Sequence, residues 1–287
     1  MTITSLPFRF ESGRGLRLDL GRPVYMGILN ITPDSFSDGG RYTNTDAVVQ
    51  QAHKLVSDGA MILDVGGESS RPGSDPVSAN DEANRVLPVI KALRDTLPDV
   101  AISIDTTKAS VAAQAAALGA EFINDISALS DPEMASVASQ YQTGLILMHM
   151  RGTPKTMQSD PIHYSDVTAE VISHLNQAIE KAQRSGVAKE RIWVDPGIGF
   201  GKNLEHNLAL TRDVGDLRQT GCHVLYGPSR KRFLGDITGR DVGDRDRATA
   251  AACSIAAYEG ANIFRVHDVA AVRDAIEVGY ALRTNDS

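Results

Sequence analysis

Residues 101–125 read AISIDTTKASVAAQAAALGAEFIND. A short apolar run, Ala101–Asp105, ends on a carboxylate, and Asp105-Thr106-Thr107 precedes a helix. A second apolar run, Phe122–Asp125, ends on Asn124-Asp125. Both runs are apolar throughout rather than alternating, the pattern of parallel strands buried on both faces. The same strand-then-helix unit recurs outward in both directions. Strands are predicted at Val24–Asn30, Met61–Val65, Ala101–Asp105, Phe122–Asp125, Leu145–His149, Ile192–Asp195, Val224–Gly227 and Ile263–Val266. Helix-period segments lie between them. The clearest is Asp166–Ser185, where Val167, Val171, Leu175, Ala178, Ile179 and Ala182 fall at helical spacing. Ser165 is placed to cap its start and Gly186 its end. Asp244–Glu259 is Ala-rich and stops at Gly260. Eight such units predict an α/β fold, a (β/α)8 TIM barrel; the pattern alone also admits a doubly wound open sheet. Ahead of the first strand, Phe8-Arg9-Phe10 and Leu16–Leu20 alternate around Gly13–Gly15, a short N-terminal β-hairpin suited to closing the barrel floor.

No low-complexity tract or Pro/Gly/Ser linker divides the 287 residues, so a single domain over 1–287 is expected, close to the roughly 250 residues of such a barrel. Apolar residues make up 42% of the chain and charged residues 23%, enough for a sizeable core. The net charge of −7 gives no general attraction to nucleic acid or to an anionic membrane, so an anionic ligand must be held by a few local cations. No run of about 18 apolar residues occurs, and Met1–Phe10 has no secretory h-region. Cys222 and Cys253 form no CxxC pair and read as small buried hydrophobes in a reducing compartment. A cytoplasmic protein without membrane or nucleic-acid partners is expected.

The polar residues Asn30, Asp64, Asp105, Asn124-Asp125, His149, Asp195, Arg265 and His267 all sit at or just past predicted strand C-termini, the barrel face where active sites form. Asp105, Asn124 and Asp195 come from three strands whose ends converge. Two acceptor-only carboxylates and an amide match a ligand edge rich in N–H donors; helix capping is the competing reading for each residue alone. Ser229-Arg230-Lys231 follows the seventh strand and Arg265-Val266-His267 ends the eighth, where this fold often binds phosphate. Arg265 and His267 are two apart, so they share one strand face. A cation inside the strand ring needs an anion, whereas Arg230-Lys231-Arg232 also reads as a solvated basic run. Asn30 has an amide oxygen suited to Mg²⁺.

The loop Ile31–Gly40 and the Gly/Ser-rich Gly66–Gly73 are candidate lids. Gly197–Lys202 is glycine-rich but lacks the spacing of a P-loop or dinucleotide fingerprint, and reads as a tight turn around the site or a plain Gly-rich loop. His53, His163, His174, His206 and His223 show no metal-ligand spacing, and no nucleophile elbow is present.

In order, these motifs resemble those of the dihydropteroate synthase family. They are Gly27–Gly40 (GILNITPDSFSDGG), Asp64–Gly73 (DVGGESSRPG), Ser103–Thr106, Asn124-Asp125-Ile126, Leu147–Met150, Asp195–Lys202 (DPGIGFGK), Gly227–Lys231 (GPSRK) and Arg265–Asp268. The resemblance covers residues from about 20 to 280. It implies that Asp105, Asn124, Asp195 and Lys231 hold a pterin by hydrogen bonds, with Ile28, Ile126, Met148 and Phe200 packed on it. It implies that Asn30, Arg265 and His267 bind a diphosphate, Asn30 reaching Mg²⁺. Phe36, Ser70, Arg71, Pro72 and Ser229 would frame a p-aminobenzoate pocket. Asp105, Lys231, Arg265 and His267 would carry the catalysis. The family is typically homodimeric through helices late in the chain and is inhibited by sulfonamides. Many relatives have Thr where this chain has Ser70, a loss of one methyl.

The expected reaction is a dissociative displacement of diphosphate from the pterin methylene by the aryl amine. Enzymes acting on methyltetrahydrofolate share a related barrel but would call for a cobalamin partner, and they leave Ser229–Lys231 and Arg265–His267 unexplained. A catalytically silent pterin-binding paralogue is the other alternative.

Overall fold

Short runs of β-branched and other apolar residues alternate along the chain with longer amphipathic segments, and the strands they form meet edge to edge. In the computed structural model, which describes residues 9–32, 41–158 and 161–284, this gives one closed barrel. Strands β1 (Arg9–Glu11) and β2 (Arg17–Asp19) form an antiparallel hairpin. The barrel strands are β3 (Val24–Asn30), β4 (Ile62–Gly66), β5 (Ala101–Asp105), β6 (Phe122–Asp125), β7 (Gly144–Met148), β8 (Ile192–Asp195), β9 (His223–Tyr226) and β10 (Ile263–Val266). They are parallel in sequence order, and β10 closes on β3 through the pairs Ile263↔Val24 and Arg265↔Met26. That closure rules out the open doubly wound sheet. Three strands, β4, β7 and β9, are shifted by one residue at both ends from those expected. His149 and Gly227 accordingly lie beyond their strands.

The helices are α1 (Arg41–Ser57), α2 (Ala79–Thr96), α3 (Ala109–Ala117), α4 (Met134–Tyr141), α5 (Val167–Arg184), α6 (Leu204–Arg212), α7 (Arg232–Thr238), α8 (Asp246–Glu259) and α9 (Ala270–Thr284). The cap of α5 is Asp166, whose carboxylate accepts from the Ala169 amide at 3.0 Å, rather than Ser165. A short carboxylate one residue nearer the helix reaches the third amide directly; the Ser165 amide instead donates to Glu170.

Alternation on each strand divides the apolar material into two cores. Ile102 and Ile104 of β5, Phe264 and Val266 of β10, and Val194 of β8 face outward against the helices. Val24, Met26, Ile62, Ala101, Phe122, Ile146, Trp193, Leu225 and Ile263 face inward and fill the lower barrel. The hairpin closes the floor. Phe10, Leu18 and Leu20 join this inner core, and the Phe10 ring lies 4.4 Å from Phe122 and 5.8 Å from Trp193. Every element among the described residues belongs to this barrel, its helices or the hairpin, and no helix is long and apolar enough to cross a membrane.

Candidate active site

A period of two along a strand fixes what reaches the barrel mouth. With Ala101 inward, Ser103 and Asp105 follow inward on β5; with Ile62 inward, so does Asp64 on β4. By the same count Asn124, Met148, Asp195 and Arg265 cap β6, β7, β8 and β10. Above an apolar plug, the barrel therefore ends in a polar layer.

One cavity at that mouth is lined by Ser70, Asp105, Asn124, Ile126, Met148, Asp195, Phe200, Gly227, Lys231 and Arg265. Ile126, Met148 and Phe200, with Met157, form a separate apolar cluster along one side of it. Ile28, Asn30, Arg71, Pro72, Ser229 and His267 do not line it. Ile28 and Asn30 are on β3, buried and half-buried. Arg71 and Pro72 are exposed on the β4–α2 connection. Phe36 lies outside the described residues.

Arg265 is half-buried and already has its anions. Its Nε donates to Asp64 Oδ2 at 2.6 Å and its Nη2 to Asp105 Oδ2 at 2.7 Å. A buried guanidinium is stable only when its fork is matched in this way. Although burial alone would lower its pKa, Asp64 and Asp105 raise it. The demand for an anion read from the sequence is thus met by two carboxylates of the protein. Asn124 Nδ2 also donates to Asp64 Oδ2, at 3.1 Å. Asp64 Oδ1 and Asn124 Oδ1 are buried without a partner. Asp64 is the anchor of this network, and sequence reading assigned it no role. Its signal was its inward register with Ser103 across the β4–β5 pair.

Burial raises Asp105 to about 7, against the opposing pull of Arg265. Burial also raises Asp195, opposed by Lys231; one Asp195 oxygen accepts the Gly197 amide at 2.7 Å. Lys231 is pushed down to about 8 by burial. Its ammonium donates to the Ile198 carbonyl and stands 4.5 Å from the Phe200 ring centre, a cation–π contact. His267 is pushed down to about 4 by burial and by Arg265, so it is neutral at pH 7. Of these two residues, Arg265 is the one that is charged at that pH. His267 Nδ1 lies 3.0 Å from Ser229 Oγ, and the same hydroxyl accepts from the His267 amide at 3.2 Å.

The basic run divides three ways. Arg230 makes a bidentate pair with Asp246 at 2.8 Å for both bonds, Lys231 enters the cavity, and exposed Arg232 pairs with Asp236 at 3.6 Å.

The Gly197–Lys202 connection wraps this site as a tight turn. Gly197, Gly199 and Gly201 all have left-handed φ, and a Cβ on Gly197 would stand 1.9 Å from the His149 carbonyl oxygen. No other residue type fits there. Lys202, which sequence reading passed over, is buried beneath the turn. Its ammonium contacts His149 Nδ1 at 3.0 Å, Phe200 O at 3.0 Å and His149 O at 3.3 Å. Burial lowers it to about 7, and it holds the turn to the end of β7. Met157 was also missed; from a turn with no periodic signature it packs with Ile126, Met148 and Phe200, which line the cavity.

The model of the pterin binding enzymes matches residues 26–267. The dihydropteroate synthase of Synechocystis sp. is 46% identical over 267 residues, 92% of each chain. A solved dihydropteroate synthase of Xanthomonas albilineans with 4-aminobenzoic acid superposes with TM-score 0.89 at 42% identity, covering 98% of this chain and 99% of that one. The same enzyme in complex with 7,8-dihydropteroate gives TM-score 0.86 at 40% identity, covering 96% and 99%. A barrel mouth of this composition, matched along nearly the whole chain, places this protein in the pterin-binding enzymes, as a member of the dihydropteroate synthase family.

Proposed function

We propose that the barrel mouth condenses 6-hydroxymethyl-7,8-dihydropterin diphosphate with p-aminobenzoate to give 7,8-dihydropteroate and diphosphate, the step that joins the two halves of a folate. The observation that carries this is the barrel-mouth cavity where Asp105, Asn124, Asp195 and Lys231 face an apolar wall of Ile126, Met148 and Phe200. A flat heterocycle with a donor-rich edge satisfies both features. The two carboxylates accept from the pterin N–H groups, Asn124 pairs beside them, and Lys231 donates to a ring acceptor. Ile28 completes the packing beneath.

The reaction breaks the bond from the pterin methylene to the diphosphate oxygen, which leaves with the electron pair. The amine lone pair of p-aminobenzoate forms the new C–N bond, and the amine sheds a proton to solvent. Arg265 faces the leaving group, and His267 donates to it as a neutral imidazole oriented by Ser229. Asp105, which accepts a hydrogen bond from Arg265, would help the pterin ring tolerate positive charge as the bond loosens. No residue of the protein acts as nucleophile. Ser70, Arg71, Pro72 and Ser229, together with Phe36, frame the p-aminobenzoate.

Asn30 ends β3 half-buried, at the barrel mouth. The described residues include no group of three His, Cys, Asp or Glu fit to cage a metal. A single amide oxygen fits Mg²⁺, which takes its other ligands from phosphate and water. Held at Asn30 when bound, Mg²⁺ would supply neutralisation of the diphosphate charge.

We read the protein as a cytoplasmic homodimer. Exposed Ile255 and Tyr258 on α8 and Val278 and Leu282 on α9 support a subunit interface there, and the buried free cysteines suit a reducing compartment.

The test is Mg²⁺-dependent release of diphosphate from the pterin diphosphate, with and without p-aminobenzoate, for wild type and Arg265→Ala. Release should require p-aminobenzoate and fall by about 100-fold or more in the variant. An absence of release from wild type overturns the reading and reopens methyl transfer or silent pterin binding.

A further inference from the structure

A second charge network lies at the root of the β4–α2 connection, and the chemistry above does not use it. Lys108, next to the start of α3, donates from Nζ to Glu82 Oε2 at 2.5 Å and also to Glu68 Oε2. Glu82 belongs to α2 and is 0% exposed, with its other oxygen buried and unpartnered. Glu68 is half-buried in the connection itself, two residues before Ser70. From the same helix Arg85 donates to the Gly67 carbonyl at 2.9 Å. Gly67 packs so closely that a Cβ there would stand 2.7 Å from Val86 Cγ1. The connection is thus pinned at Gly67 and Glu68 while Arg71, Pro72 and Gly73 stand exposed.

The pairing of Lys108 with Glu82 alone would compensate the buried carboxylate. The additional bond to Glu68 places two carboxylates on one ammonium, an arrangement that packing of α2 does not require. It is explained if the position of the connection is what the ammonium fixes. Ser70 is one of the residues lining the cavity, and two residues span at most about 7 Å of chain. A shift of Glu68 is therefore passed to the Ser70 hydroxyl with little loss.

We infer that Lys108 is a positioning residue for the aryl-amine substrate: by holding Glu68 against Glu82 it places Ser70 at the cavity rim and sets affinity for p-aminobenzoate rather than for the pterin. This rests on the reading of Ser70, Arg71 and Pro72 as the frame of that substrate. The proposed pterin contacts come from the ends of β3, β5, β6, β7 and β8, the Gly197–Lys202 turn and Lys231, whereas the hydrogen bond of Glu68 goes to Lys108.

The test uses the full-length protein with Glu68→Ala, which leaves Lys108 paired with Glu82 and strands no buried charge. The KM for p-aminobenzoate should rise about 10-fold, since small misplacements of a positioning group are costly. The calorimetric Kd for the pterin diphosphate should change by less than about 2-fold, because its contacts are untouched. Glu68→Gln, which keeps an acceptor for Lys108, should recover part of the loss, and Lys108→Arg should lie closer to wild type than Lys108→Met. An unchanged KM in Glu68→Ala, where Ser70→Ala raises it, overturns the positioning role. An unchanged KM in both variants overturns the pocket reading beneath it. Equal losses for both substrates with a lowered Tm mean a structural strut only, and also overturn the inference.

Discussion

The Gly197–Lys202 turn and the connection spanning residues 67–78 border the same cavity with opposite constructions. The turn is almost wholly buried, uses three left-handed glycines, and is tied by Lys202 to two carbonyls and a histidine ring. The connection is fixed mainly at its root by Lys108, Arg85 and the packing of Gly67. Its tip is exposed and rests on a neighbouring loop through the Gly73 amide to the Pro154 carbonyl at 2.9 Å and the exposed Lys155–Asp75 pair at 2.6 Å. A surface ion pair of that kind contributes little. A rigid ring system is best recognised by a wall that does not reorganise, since preorganised donors cost nothing at the moment of binding. A wall that admits a substrate from solvent has to open, and such walls are drawn from the less stable parts of a fold.

A matched pair of substitutions can break this contrast. Both Gly197 and Gly73 have left-handed φ, at 67° and 83°. A Cβ on Gly197 meets backbone at 1.9 Å, whereas one on Gly73 meets nothing within 4 Å. Gly197→Ala should cost about 3 kcal/mol or more, strain and overpacking together, and abolish pterin binding. Gly73→Ala should cost about 1 kcal/mol, the left-handed penalty alone, with pterin affinity unchanged. Chemical denaturation and equilibrium dialysis measure both. Equal costs at the two positions would mean that the turn relaxes as freely as the exposed loop.

The next effect sharpens the electrostatic side. Lys231 has a folded pKa near 8 against 10.5 in the unfolded chain. Pterin affinity that depends on its ammonium should fall as pH rises through about 8 and should lose that alkaline limb in Lys231→Met, which binds about 10-fold or more weakly at pH 7. Folding stability has the opposite sign. Between about 8 and 10.5 the unfolded chain binds more protons, so Lys231 contributes stability that grows with pH and is lost as pH falls through 8. Calorimetric Kd and urea midpoints across pH 7 to 10 would separate the two; parallel trends would show that Lys231 does not contact the ligand.

Much of the barrel was legible because its strands are continuous apolar runs ending in polar residues, and a period of two needs no tertiary information to point Arg265 into the barrel mouth, although His267, expected to share its face, lies past β10 and does not line the cavity. The floor hairpin was legible for the same reason, Phe10 and Leu18 alternating inward. What neutralises Arg265 was not. Asp64 lies 201 residues earlier and meets it only because β10 closes on β3, beside β4. The division of Arg230, Lys231 and Arg232 likewise depends on Asp246 arriving from the start of α8. Met157 and Lys202 contribute from irregular chain, where neither helical nor strand periodicity marks an inward side chain. The glycines around Lys202 announced a turn, but which backbone it presses against is decided by the end of β7.

The smallest expected effect lies on the open wall. Ser70 carries a hydroxyl without the methyl that a threonine would add, and it lines the cavity whose rim is proposed to frame p-aminobenzoate. Ser70→Thr adds one methyl at a half-buried rim position with exposed chain beside it. One methyl contact at a ligand pocket is worth about 1 kcal/mol, so the KM for p-aminobenzoate should fall by up to about 5-fold with kcat unchanged. The pterin Kd should not move, because the turn that holds the pterin makes no contact through this residue. The exposed wall can absorb a methyl by shifting at residues 71–73, whereas the same volume added beneath the Gly197 turn cannot be absorbed at all. A change in pterin Kd on Ser70→Thr would mean that the two walls move together, and that the wall fixed mainly at its root is as rigid as the one built on Lys202.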